Sequence, residues 1–162
     1  FNGFLSPRYG IQGENLDIKT WRSTAVFKYK AADIRNISLR NLQNKKQSFA
    51  LTTNPYQLVN YKNEIIPANS EKLLKYINNF NSLNCETYKQ DIDKLTFATP
   101  LHELIVNTDT LRTYAVRDNE NRTKEDNYNV ERMYATLNNK ELMLIQNYVF
   151  NKVLITIDEF KN

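Results

Sequence analysis

Alternating apolar and polar residues in the first half of the chain predict short β-strands. Residues 24–30 and 48–53 carry apolar side chains at every second position over part of their length, which is the period of a strand with one buried face. Residues 56–61 and 64–66 predict a β-hairpin, because the Lys-Asn pair at 62–63 suits a tight turn between two strands. The first half of the chain is therefore expected to be mainly β.

The apolar spacing becomes helical in the second half. Ser70 is a suitable N-cap, and residues 73–80 carry apolar side chains three and four positions apart, as on one face of a helix. Further short helices are expected at 88–95, 99–105, 130–137 and 140–150. Strands are expected at 111–116 and 153–157, and the polar stretch 117–129 is expected to form a long loop.

These patterns together predict an α+β fold. An antiparallel β-sheet would come from the N-terminal half and several short helices from the C-terminal half, and the last strand, residues 153–157, would return to the sheet. Residues 1–20 show no clear period, so we expect an extended N-terminal arm there. A single α+β domain would then span residues 21–162.

Asparagine is expected to form the turns. The three glycines are Gly3, Gly10 and Gly13, so no glycine is available from residue 14 onward. Asparagine tolerates the left-handed backbone conformation better than most other residues. The expected turn positions are 62–63, 78–79, 119 and 138–139.

The composition indicates a globular chain from an AT-rich genome. Of the 162 residues, 41% are hydrophobic and 25% are charged, and no run approaches the roughly 18 apolar residues of a membrane span. The abundant asparagine, lysine and tyrosine suggest an AT-rich source such as a virus, phage, organelle or microbe. The chain begins at Phe1, which predicts processing or excision from a longer protein. We expect it in a virion or the cytoplasm, away from membranes.

Few residues offer catalytic chemistry, and no cofactor or metal site is predicted. Cys85 and His102 are the single cysteine and histidine, too few ligands for a usual zinc site, although they could formally make a catalytic dyad. Residues 158–161 place Glu159 and Lys161 after the expected last strand. A strand that ends in Glu-x-Lys is typical of metal-dependent nucleases, which leaves that activity as a second alternative.

Positive charge is concentrated in the first half of the chain. Residues 1–81 contain 12 basic and 5 acidic residues, whereas residues 82–162 contain 10 and 13. Eight basic residues fall within 19–46, interleaved with aromatic residues as in some nucleic-acid-binding proteins: Lys19, Arg22, Lys28, Lys30, Arg35, Arg40, Lys45 and Lys46. On a strand, however, Lys28 and Lys30 would face away from Phe27 and Tyr29, which favours lysines in water over a joint binding surface.

The leading functional hypothesis is a non-enzymatic structural component of a larger assembly, with a virus or bacteriophage particle as the expected setting. Its partners would be other protein subunits, possibly identical copies. The arm would contact a neighbour through four apolar anchors, Phe1, Phe4, Leu5 and Tyr9. The first alternative is a nucleic-acid-binding accessory protein that uses residues 19–46.

Overall fold

The fold is built around one antiparallel sheet. The computed structural model describes residues 23–89, 99–117 and 128–162. In these residues nine strands form the sheet: β2 (Asn36–Asn41), β3 (Phe49–Thr53), β4 (Tyr56–Asn60), β5 (Ile65–Ile66), β7 (Thr87–Lys89), β8 (His102–Val106), β9 (Asp109–Arg117), β10 (Tyr128–Leu137) and β11 (Glu141–Gln146). Their order across the sheet is β5-β4-β3-β2-β8-β9-β10-β11-β7.

A second layer covers one face of this sheet, which we call the core face. The layer contains helix α1 (Ser70–Asn78), which continues as a 3-10 turn over Asn79–Asn81, and a small sheet of β1 (Ala25–Phe27) and β6 (Leu83–Asn84). The short helix α2 (Asn147–Phe150) and the C-terminal segment, residues 151–162, complete it. Strand and layer residues form one buried cluster, which includes Ile37, Leu51, Leu104, Phe80 and Phe150.

Aromatic side chains join the second layer to the sheet. The rings of Phe49 on β3, Tyr76 on α1 and Phe160 near the C-terminus pack edge to face, with centroids 4.9 to 5.7 Å apart. The hydroxyl of buried Tyr76 donates to the carbonyl oxygen of Val153 at 2.8 Å. Since the buried Tyr76 loses hydration of its ionised form, its pKa lies well above the ordinary value. The C-terminal segment is thus a packed part of the core.

The structure confirms the sheet of the N-terminal half and one of the predicted helices. The strands at 48–53, 56–61 and 64–66 are present in the sheet as β3, β4 and β5, and the strand at 111–116 is part of β9. The strand at 24–30 is present as β1, but β1 pairs with β6 in the small second sheet. The predicted helix at 70–80 is α1 with its 3-10 extension. Its N-cap is Asn69 in place of Ser70, since the Asn69 side chain accepts hydrogen bonds from the backbone N–H groups of Glu71 and Lys72.

The prediction of a helical C-terminal half is wrong, because strands span both halves of the chain. Residues 102–106, 128–137 and 141–146 are the strands β8, β10 and β11, where helices were expected. Residues 153–157, expected to be the last strand, form turns that lead into a 3-10 helix at Ile157–Phe160. The fold is mostly β. The predicted arm at 1–20 and most of the predicted helix at 88–95 and loop at 117–129 lie outside the described residues.

Asparagine does form turns with left-handed backbone. Asn63, Asn138 and Asn139, all expected turn residues, have φ angles between 55° and 63°. Asn107, in the β8–β9 turn, also has positive φ, and its side chain accepts a hydrogen bond from the backbone N–H of Arg35 at 2.8 Å. Asn78 and Asn79 instead continue α1 with helical backbone. Glycine is thus replaced at the left-handed positions by the residue type that tolerates them best.

One side-chain network ties two of these turns to the second layer. The hydroxyl of Tyr29 donates to the Oδ2 atom of Asp109, and Asn138 donates to the Oδ1 atom of the same carboxylate at 3.0 Å. Burial, together with the hydrogen bond to Asp109, raises the pKa of Tyr29 to about 12. Tyr29 therefore stays protonated and acts as a donor at neutral pH.

Candidate interaction surface

The predicted basic segment is divided between two ends of the sheet. Lys19 and Arg22 lie outside the described residues. Lys28, Lys30 and Arg35 are exposed before β2 begins, whereas Lys45 and Lys46 are exposed after it ends. Since a six-residue strand is roughly 20 Å long, these two groups do not form one continuous strip. Phe27 is buried and Tyr29 packs against the core, as the alternation predicted.

Arg40, in the middle of the basic segment, is occupied by an ion pair. It lies directly opposite Glu103 across the β2–β8 pair, and its Nη1 atom is 2.8 Å from Oε1 of Glu103. Arg112 lies opposite Glu103 on the other side and binds Oε2 at 2.8 Å. Only 13% of the Glu103 side chain is exposed. We call Arg40, Glu103 and Arg112 the ionic row.

The C-terminal residues do not form the strand end that a nuclease site would need. Glu159 belongs to a 3-10 helix, and Lys161 pairs with Asp158 at 2.9 Å. Asp158 and Glu159 line an open groove of about 420 Å³ beside Lys72, Lys75 and Lys152. In the described parts of the chain, no three His, Cys, Asp or Glu side chains group closely enough to hold a metal ion.

His102 and Cys85 occupy structural positions. His102 begins β8, where a helix had been expected, and its Nδ1 atom lies 3.0 Å from the hydroxyl of buried Thr113. Burial lowers the pKa of His102, which favours the neutral imidazole. Cys85 is buried in the hydrophobic core, and its backbone N–H donates to the carbonyl oxygen of Thr24 at 2.8 Å.

The face of the sheet opposite the core face, which we call the outer face, carries a row of mostly apolar side chains. Cross-strand pairing puts its members side by side on β5, β4, β3, β2 and β8: Ile65, Val59, Ala50, Ser38 and Ile105. Ile65 is 67% exposed and the other four are partly exposed. We call these five residues the outer row. At a strand spacing of about 4.8 Å it extends roughly 19 Å across the sheet.

The smallest side chains of the outer row lie at its centre. Ala50 and Ser38 have short side chains, whereas Val59, Ile65 and Ile105 are branched and larger. The ionic row runs beside the outer row, because Arg40 and Glu103 lie two positions from Ser38 and Ile105 on the same face. Such a surface can bury apolar side chains of a partner, with charged groups at its margin, as in many protein–protein interfaces.

The outer row was missed at the sequence level, although the sequence contains a signal for it. Leu58-Val59, Ile65-Ile66 and Leu104-Ile105 are adjacent apolar pairs within strands. Because successive side chains on a strand point to opposite faces, each pair puts one apolar residue on each face. Three such pairs in strands of one sheet indicate an outer face that is apolar as well.

Comparison with known proteins gives one distant similarity. An uncharacterized protein of Plasmodium falciparum is 28% identical over an alignment 136 positions long, which covers 72% of this chain. The chain spans 8% of the length of that protein. No protein family and no solved structure matches the chain. Among the described residues, no helix is long and apolar enough to cross a membrane.

Proposed function

We propose that this chain is a non-enzymatic assembly domain whose N-terminal arm binds the outer row of a neighbouring copy. The observation that carries the proposal is the outer row itself, an apolar strip on the face of the sheet away from the core cluster. Removal of such an apolar strip from water lowers the free energy, so the strip favours contact with a partner. The setting in a virus or bacteriophage particle is supported by composition alone.

The length and chemistry of the arm fit the outer row. Its anchors, Phe1, Phe4, Leu5 and Tyr9, fall within nine residues, which span at most about 30 Å when extended. That is enough to cross a row of roughly 19 Å. The short side chains of Ala50 and Ser38 leave room for aromatic rings, and aromatic residues supply large contact areas at interfaces.

The first experiment is sedimentation velocity of the whole chain over a range of concentrations. We expect self-association that is lost when residues 1–13 are deleted, while circular dichroism shows that the deleted chain still folds. Val59→Asp should also give monomers, because it buries a charge in the proposed contact. Gln57→Glu is the matched control, since Gln57 lies on the same face and strand but outside the row.

Three results would contradict this proposal. The intact chain could remain monomeric at all concentrations, the deleted chain could unfold, or Val59→Asp could associate as the wild type does. The same experiment with a short DNA duplex at low salt tests the nucleic-acid alternative. Binding that charge reversal at Lys28, Lys30, Lys45 and Lys46 abolishes would support that alternative.

A further inference from the structure

A polar pocket lies at the end of the sheet where β11 leads into α2. It has a volume of about 330 Å³ and is lined by Glu131, Arg132, Gln146, Asn147, Tyr148 and Asn151. We call it the Tyr148 pocket. Its volume is at the lower end of the range of about 300 to 1,000 Å³ that small-molecule sites occupy. It lies away from the outer row, so what it binds is independent of the proposed assembly function.

Tyr148 is an exposed aromatic ring on a fixed support. It is 76% exposed, the largest exposed fraction among the large hydrophobic residues that the structure describes. The residue two positions later, Phe150, is fully buried and holds α2 against the core. A tyrosine in this situation presents a flat apolar ring at little entropic cost, because its backbone is already ordered.

The polar groups of the pocket are held in place by Glu86. Arg132 and Gln146 lie directly opposite each other on β10 and β11, and both donate to Oε1 of Glu86 at 2.8 Å. The hydrogen bond from Arg132 lowers the pKa of Glu86, so the carboxylate remains ionised at neutral pH and keeps both donors oriented. The rim of the pocket is therefore formed before any ligand arrives.

The pocket offers planar polar groups next to an apolar ring. Gln146, Asn147 and Asn151 carry amides, which can both donate and accept hydrogen bonds. Arg132 contributes a guanidinium, and its charge is balanced by Glu86 and by Glu131, 3.5 Å away. A site without excess positive charge does not favour phosphate ligands. Neutral molecules with many hydroxyl groups and an apolar C–H face match this combination best.

We propose that the Tyr148 pocket binds a neutral saccharide. The sugar ring stacks its C–H face on Tyr148, and its hydroxyl groups exchange hydrogen bonds with the amides and with Arg132. Hydroxyl groups are suited to such sites because each one can donate and accept.

The test is a binding survey with the full 162-residue chain. Binding is measured by saturation-transfer NMR and calorimetry. The probes are glucose, galactose, mannose, N-acetylglucosamine, N-acetylgalactosamine, lactose and chitobiose. We expect at least one to bind, and Tyr148→Ala to weaken that binding by about tenfold or more through loss of ring contact. Tyr56→Ala is the matched control, because Tyr56 is 57% exposed on a different element.

A second variant distinguishes the contribution of the Tyr148 ring to binding from that of its hydroxyl group. Tyr148→Phe keeps the stacking surface and should keep most of the affinity, whereas a loss equal to that of Tyr148→Ala would contradict stacking. The proposal is overturned if no saccharide binds at tens of millimolar, or if Tyr148→Ala binds as the wild type does. Binding of a short peptide or single-stranded oligonucleotide at Tyr148, without any saccharide, would also overturn it. Deletion of residues 1–13 should leave saccharide binding unchanged.

Discussion

Both faces of the sheet carry apolar side chains, but in the described parts of the chain the core face lies beneath a second layer, whereas the outer row on the other face is partly exposed. On β2, Ile37 and Leu39 are buried on the core face beneath that layer, whereas Ser38 and Arg40 lie on the outer face. The outer face combines the partly exposed outer row with the ionic row. The comparison shows that apolar alternation identifies a strand, while the covering layer decides which face becomes the core.

Removal of a ring from the core face should have the largest effect. Phe160 is 1% exposed and packs edge to face against Phe49 and Tyr76. We expect Phe160→Ala to lower the free energy of unfolding by about 3 to 5 kcal/mol, measured by urea denaturation. Leu74→Ala, on the exposed side of α1, should change it by no more than about 1 kcal/mol. Equal effects of the two variants would mean that the C-terminal segment is not part of the core.

Part of the fold could be predicted because local signals agreed with tertiary packing. In the N-terminal half, β3 buries Phe49 and Leu51 on one face, and α1 has both a cap and an apolar stripe. The left-handed positions at Asn63, Asn138 and Asn139 followed from the lack of glycine. These features depend on residues close together in sequence, which is why the sequence is informative about them.

The C-terminal half could not be predicted in the same way. Residues 142–145 are all apolar, so they show no alternation, and Leu142, Ile145 and Val149 happen to follow helical spacing. In the structure Met143 and Ile145 join the core cluster, while Leu142 is buried on the opposite face and lies outside that cluster. A strand that is apolar on both faces cannot be distinguished from a helix by period alone.

The candidate sites could also not be predicted from residues close together in sequence. The outer row joins residues from five strands, and the Tyr148 pocket depends on Glu86, which lies 46 and 60 residues from Arg132 and Gln146. Only the cross-strand register brings these residues together. Charge counting along the chain pointed to residues 19–46, but β2 separates the two ends of that segment.

Loss of the central charge in the ionic row should have an intermediate effect. Glu103→Gln keeps the shape of the side chain but leaves two guanidinium groups without their carboxylate. Because Arg40 is 59% exposed, we expect a loss of only about 1 to 2 kcal/mol by urea denaturation. Asp158→Asn, which breaks the exposed pair with Lys161, should cost about 0.5 kcal/mol or less. A double-mutant cycle of Glu103→Gln with Arg112→Gln measures the coupling energy between these two side chains. A coupling energy of zero would contradict a stabilising contribution from the ionic row.

Acidification should lower the free energy of unfolding through protonation of His102, which lies on the core face. Its pKa is lowered by burial, so below the ordinary value of about 6.5 the unfolded chain binds a proton before the folded chain does. Stability contributed by the neutral ring is therefore complete above that value and is lost as the pH falls toward the pKa of the folded state. His102→Gln should flatten the dependence of unfolding free energy on pH between 7 and 5. The contribution of Glu86, whose pKa is lowered, is lost only at lower pH.

A change on the outer row should have the smallest effect on stability and a large effect on association. Ile65 is 67% exposed at the edge of the sheet, so Ile65→Asp should change the free energy of unfolding by about 0.5 kcal/mol or less. Self-association in sedimentation velocity should nevertheless be lost, because the charge would lie where an apolar anchor binds. A destabilisation above about 2 kcal/mol would show that Ile65 supports the fold itself. Together with Phe160→Ala, this variant separates a face that holds the domain together from a face that is available to a partner.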